Sequence, residues 1–232
     1  MPVPTQLTRL MPLLFVVLWS TGFIGAKYGL PYAEPLTFLA VRYVLVIGLM
    51  TLLALAMRAP WPASPRDAMH IAVTGLLVHA VYLGGVFMSI HHGLPAGISA
   101  LVVGMQPLLT GALAGALLGE RVSSRQWAGL ALGFAGVALV VGSKVSVDGV
   151  ATDALGRMLL PALAALVGIT AGTLYQKRFC PRFDLRTGSV LQFLPSLALT
   201  ALVASQVETM QIDWSGEFVF ALLWLVLVLS LG

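Results

Sequence analysis

The residue of this chain best equipped for chemistry is Arg42, which stands seven residues into an otherwise almost wholly apolar run, 35–57. Inside a bilayer a guanidinium costs at least ~2.5 kcal/mol unless it reaches water or a partner. Facing a cavity, it would bind a carboxylate or phosphate, because its fork of N–H donors matches planar oxyanions. Turned toward the outer interface, it would sit beside Glu34 with its charge in water. Both readings are open from the residues alone. His79 lies near the middle of another apolar run, and Tyr82, three residues on, shares its helical face. A buried histidine shuttles protons near neutral pH or hydrogen-bonds a neighbouring helix. Trp19, Thr21, Tyr43, Gln106, Tyr175 and Gln192 are further polar or amphipathic residues inside apolar runs. They are suited to line a substrate pocket with Arg42, His79 and Tyr82, or to bind helices together. Glu120 and Arg121, at the end of the helix that contains Pro107, form a structural or gating group.

Other chemistries lack their marks. Neither H-E-x-x-H nor G-x-S-x-G occurs, so no enzyme is expected. His91-His92 has no carboxylate near enough in sequence to complete a metal set, and neither a metal nor a cofactor is expected. All nine acidic residues fall near the ends of the apolar runs, which argues against a buried carboxylate as a proton carrier. Cys180 is the sole cysteine, so no intrachain disulfide can form.

The elements that must position these residues are membrane helices. The chain is 59% hydrophobic and 9% charged, with a mean hydropathy of +0.95. A water-facing domain needs far more charge than this, so the partner of its exterior is the lipid bilayer. Eight runs approach the ~20 residues a helix needs to cross ~30 Å of hydrocarbon: 10–28, 35–57, 68–91, 96–118, 126–142, 155–179, 187–207 and 218–232. They are apolar on both parities, which excludes the alternation of a barrel strand. With the N-terminus in the cytoplasm, nine Lys and Arg residues fall on the cytoplasmic side and four on the other, as the positive-inside bias requires. The first run is long and has no A-x-A site, so it reads as an uncleaved span.

The polar stretch 143–154 reads as a linker between a five-span unit, 1–142, and a three-span unit, 155–232. Across it the spacing of Lys27, Thr37 and Arg42 recurs in Lys177, Thr187 and Gln192. Repeating a unit with an odd number of spans inverts the second copy in the membrane. The expected fold is therefore an all-α polytopic transmembrane bundle, an inverted repeat of five-helix units whose second unit is incomplete, with about eight spans. The last run has fifteen residues, about 22 Å of helix at 1.5 Å per residue, and a chain stopping there is expected to be a fragment or a shortened product.

Gln106-Pro107-Leu108-Leu109-Thr110, followed by Leu117-Leu118-Gly119-Glu120-Arg121 and then Gly129, Gly133 and Gly136, resembles the fourth and fifth helices of EamA-type transporters of the drug/metabolite transporter superfamily. Trp19-Ser20-Thr21-Gly22-Phe23 and Pro35-Leu36-Thr37-Phe38 with Arg42-Tyr43 resemble the first and second. The resemblance covers nearly the whole chain and implies a ten-helix inverted repeat, here without its last two helices. It also implies export of amino acids or related small metabolites by alternating access. The location that follows is multi-pass in a bacterial inner membrane, with a homodimer as a possible assembly. A non-transporting scaffold or accessory subunit, or a truncated inactive product, is the alternative.

Overall fold

The computed structural model describes residues 5–118, 123–148, 152–180 and 182–230. Among the described residues there is no strand, only an isolated antiparallel bridge between Ala33 and Ile212. Among the described residues the helices form eight rods, matching the eight apolar runs. They are α1 (Thr5–Gly29) and α2 (Pro35–Ala56), then a third rod of α3 (Pro65–Gly75), a π-helical segment (Leu76–Leu83) and α4 (Gly84–His91). The fourth rod is broken at Gly104 and Met105 into α5 (Ala96–Val103) and α6 (Gln106–Leu118). Then follow α7 (Ser124–Asp148), α8 (Thr152–Phe179), α9 (Leu185–Val207) and α10 (Gly216–Leu227). Among the described residues five stretches are long and apolar enough to cross a membrane: Pro35–Ala56, Pro65–His91, Ala96–Leu113, Ala154–Phe179 and Leu185–Val207. Leu132, Leu139 and Leu202 point outward and are largely exposed, as side chains that meet lipid must be.

Three helices, α3, α9 and α10, start two or three residues before their apolar runs because polar caps lie outside any hydropathy signal. Ser64 accepts from the Asp67 N–H, with Pro65 in the first turn, so α3 begins before Ala68. Asp184 accepts from the Arg186 N–H and pairs with its guanidinium at 2.6 Å, and α9 begins before Thr187. The Arg186 hydrogen bonds push the Asp184 carboxyl down to about 2. Ser215 caps α10 in the same way, accepting from the Phe218 N–H. The expected linker is shorter than 143–154, since α7 continues to Asp148 and α8 starts at Thr152. No glycine or proline between Gly142 and Asp148 interrupts the helical hydrogen bonds.

The core lies where α2 packs on α9 and the third rod packs between α9 and α8. Two glycines allow that approach. A Cβ on Gly75 would lie 2.3 Å from the Gln192 carbonyl oxygen, and one on Gly85 would lie 2.4 Å from that of Pro161. The backbones are in direct contact, as small residues permit in membrane bundles. Beside this seam Phe38 sits between Phe87 and Phe218, with ring centroids 5.3 and 4.9 Å away.

At one end of the bundle two carboxylates are exchanged between loops. Glu208, after α9, accepts from the first-turn N–H groups of Leu36 (2.8 Å) and Thr37 (2.7 Å) and from the Thr37 hydroxyl. Glu34, before α2, accepts from the Thr209 N–H (2.6 Å) and its hydroxyl (2.7 Å). The Thr209 hydroxyl holds the Glu34 carboxyl below its ordinary range. A carboxylate on orphan N–H groups at a helix start is a charge-assisted cap. Glu208→Ala is expected to destabilise the protein by about 0.5–2 kcal/mol, the usual cost of losing a cap. The check is the thermal midpoint in detergent, with Glu208→Gln recovering part of the loss. An unchanged midpoint in Glu208→Ala would show that the exchange contributes nothing. At the opposite end the Thr187 hydroxyl donates to the Pro60 carbonyl (2.8 Å), tying the start of α9 to the loop after α2.

Candidate transport cavity

Arg42 projects from α2 into the bundle and is only 5% exposed. One terminal nitrogen, Nη2, donates to the Ser230 hydroxyl at 3.1 Å, while Nε is buried with no hydrogen-bond partner among the described residues. It does not reach for Glu34, whose carboxylate is taken up by Thr209. Arg42 opens instead onto a cavity of about 240 Å³, also lined by Trp19, His79, Tyr82 and Gln192. Aromatic and aliphatic groups close the rest, Phe87 and Phe193 among them. Among the described residues no Asp or Glu lines this cavity.

The π segment positions the histidine. Tyr43, next to Arg42 and fully buried, donates its hydroxyl to the His79 carbonyl oxygen at 2.8 Å and so anchors α2 to that segment. Wider π turns of this kind occur often at functional sites. The His79 ring stacks on Phe193 with centroids 3.8 Å apart and planes 17° from parallel. Its Nε2 faces Gln192 Oε1 at 3.3 Å. A carbonyl oxygen only accepts, so Nε2 is the donor in this contact. The ring's Nδ1 is buried and has no partner among the described residues. The cavity thus combines a guanidinium, an imidazole, and an aromatic wall with Trp19 edge-on to Phe23 at 5.2 Å.

Of the nine substrate-binding candidates named from the sequence, Arg42, Trp19, His79, Tyr82 and Gln192 line this cavity, and Tyr43 supports it from behind. The other three lie elsewhere. The Thr21 hydroxyl accepts from the Trp224 indole N–H at 3.0 Å and joins α1 to α10, beside a separate apolar pocket. Gln106 opens α6 after the break and donates to the Thr110 and Thr173 hydroxyls, at 3.2 and 3.4 Å. Tyr175 is hydrogen-bonded to His70 Nδ1 at 2.7 Å, on the face of α8 that meets α3. Pro107 occupies the first turn of α6, where its missing N–H costs nothing. Glu120 and Arg121 lie outside the described residues. Ser230 and Ser189 were not singled out from the sequence. Ser230 was detectable, because it follows Ser215 at the same fifteen-residue distance at which His79 follows Ser64.

Comparison with known proteins agrees with this architecture. The profile of the EamA-like transporter family matches residues 7–142. The chain is similar to the transporter YvbV of Bacillus subtilis, 28% identical over 99% of this chain and 74% of that protein. It is 27% identical to an Escherichia coli K12 protein named "Probable amino-acid metabolite efflux pump", over 91% of this chain and 67% of the other. It is also 27% identical to the inner membrane transporter YedA of the same organism, over 87% and 63%. A solved crystal structure with 20% identity superposes with a TM-score of 0.65 over 98% of this chain and 78% of that one, a likeness of fold. With its apolar helices and a family match over more than half its length, the chain is a membrane transporter belonging to the EamA-like transporter family.

Proposed function

We propose that this protein exports small carboxylate-bearing metabolites related to amino acids across a bacterial inner membrane by alternating access, with the cavity at Arg42 as the substrate site. The observation that carries the reading is a buried guanidinium, half satisfied by Ser230, that opens onto a cavity with no protein carboxylate among its described lining. An uncompensated buried charge is costly, so such a site is completed by an anionic ligand. The names of the Escherichia coli relatives support a metabolite as cargo, outward movement and the inner membrane. The excess of Lys and Arg in alternate loops supports a cytoplasmic N-terminus.

Many alternating-access transporters are built from two related halves, and two contacts support such halves here. Thr37 and Thr187, at corresponding places in α2 and α9, each join the start of their helix to a loop of the opposite half, at opposite ends of the bundle. That is the pattern of an inverted repeat, 1–142 against 155–232. The test is counterflow in liposomes containing the natural full-length product, preloaded with a mixture of amino acids and organic acids. Saturable, solute-specific exchange is expected. Its absence for every carboxylate tried would favour the scaffold reading.

A further inference from the structure

Arg42 and Gln192 occupy corresponding places in the two halves. Each stands five residues after a threonine that ties down its helix start, Thr37 and Thr187. Each is followed by an aromatic residue, Tyr43 and Phe193, and these two rings meet at 5.2 Å. Each also touches a polar residue of the opposite half: Arg42 donates to Ser230, and Gln192 accepts from His79. Those partners correspond in turn, because His79 and Ser230 each lie fifteen residues after the serine that caps the start of their rod, Ser64 and Ser215. The cavity is thus bounded by two equivalent cross-repeat contacts, one built on a cation and the other on a neutral amide.

We propose that this pair of positions sets the net charge of the cargo, so that the cavity takes organic monoanions, with Gln192 as the residue that excludes a second negative charge. The inference rests on the cavity being the substrate site. Among the described lining residues there is one arginine, no lysine and no carboxylate. A monocarboxylate against Arg42 leaves the cavity neutral. A zwitterion brings in an ammonium that finds no counter-ion, and a dianion brings a second carboxylate against an amide that cannot neutralise it. In a site walled by Phe23, Phe87 and Phe193 and removed from water, either uncompensated charge is costly. The same rings favour an aromatic or branched aliphatic tail on the carboxylate.

Three ligands that differ only in the substituent on the carbon next to the carboxylate separate these cases. They are 3-phenylpropanoate (hydrogen), phenylalanine (ammonium) and benzylmalonate (a second carboxylate). Binding is measured by calorimetry to the full chain in lipid nanodiscs near neutral pH, with the thermal midpoint of every variant recorded as a check of folding. The protein is expected to bind 3-phenylpropanoate at least tenfold more tightly than either of the others. Gln192→Arg, or Gln192→Lys if the arginine does not pack, is expected to reverse the order of 3-phenylpropanoate and benzylmalonate, whereas Gln192→Asn preserves it. Arg42→Gln loses the binding and Arg42→Lys keeps the monoanion preference. Equal or tighter binding of phenylalanine or benzylmalonate to the unaltered protein, with the loss in Arg42→Gln intact, would overturn the charge rule and leave the substrate site standing. Binding of 3-phenylpropanoate that is undetectable, or indifferent to Arg42→Gln, would overturn the site itself and this inference with it.

Discussion

Gly75→Ala is expected to produce the largest loss of stability of any single methyl group added to this protein. The new Cβ would fall 2.3 Å from the Gln192 carbonyl oxygen and 2.4 Å from its Cα, atoms of a helix backbone that cannot rotate aside. Overpacking against movable side chains costs roughly 1–3 kcal/mol, and a collision with backbone belongs at or above the upper end. To relieve it, α3 and α9 must part, which also moves His79 and Gln192 relative to each other. Both the thermal midpoint in detergent and ligand binding are expected to fall. Gly85→Ala, against the Pro161 carbonyl on α8, is expected to resemble it in stability. Gly48→Ala and Gly97→Ala are the controls, for their added Cβ meets nothing within 4 Å. If Gly75→Ala melted with those controls, the α3–α9 seam would not be as close as described.

Arg42→Ala is expected to have the largest effect on transport. A charge-assisted hydrogen bond contributes about 1.5–3 kcal/mol, which corresponds to a loss of roughly 10- to 100-fold in affinity for a carboxylate. The loss should fall on anionic cargo and spare neutral solutes, since only the former uses the guanidinium. Stability is expected to change little or to rise, because the variant no longer buries an Nε without a partner. The measurement is counterflow of anionic and neutral solutes by the two proteins in matched liposomes. An equal loss for every solute, together with a lowered melting temperature, would assign Arg42 to folding. Ser230→Ala should weaken the same anions more modestly, since Arg42 Nη2 keeps its place in the cavity but loses the hydroxyl that orients it.

Much of the architecture is legible in the residues because solvent preference is local and additive. Some twenty apolar residues without charge require lipid wherever they stand, and all eight runs became helical rods, with starts moved where Ser64, Asp184 and Ser215 cap their helices and with α7 and α8 extended into the polar stretch between them. Arg42 was conspicuous for the same reason, being costly in its place whatever surrounds it. Gln106-Pro107 through Gly136, with the two shorter N-terminal motifs, carried the likeness to the family whose profile matches 7–142.

Which polar residues meet is another matter, decided by tertiary structure. Thr21, Gln106 and Tyr175 look no less suited to a pocket than Trp19, Tyr82 and Gln192, yet the first three bind Trp224, Thr110 with Thr173, and His70, while the others share a cavity. A polar group inside a membrane takes whichever partner the neighbouring helix presents. That neighbour depends on where backbones can touch, at Gly75 against Gln192 and Gly85 against Pro161, contacts that join residues far apart in the chain. The packing of α9 on the π segment brings His79 to Gln192 and Phe193, and that of α10 on α1 and α2 brings Ser230 to Arg42. The sequence by itself determined a lipid-embedded all-α chain with a buried cation in search of a partner, because burial cost depends on residue type. Only the packed structure decided that this cation opens onto a cavity shared with Gln192 and His79, because contacts between helices depend on shape across the whole bundle.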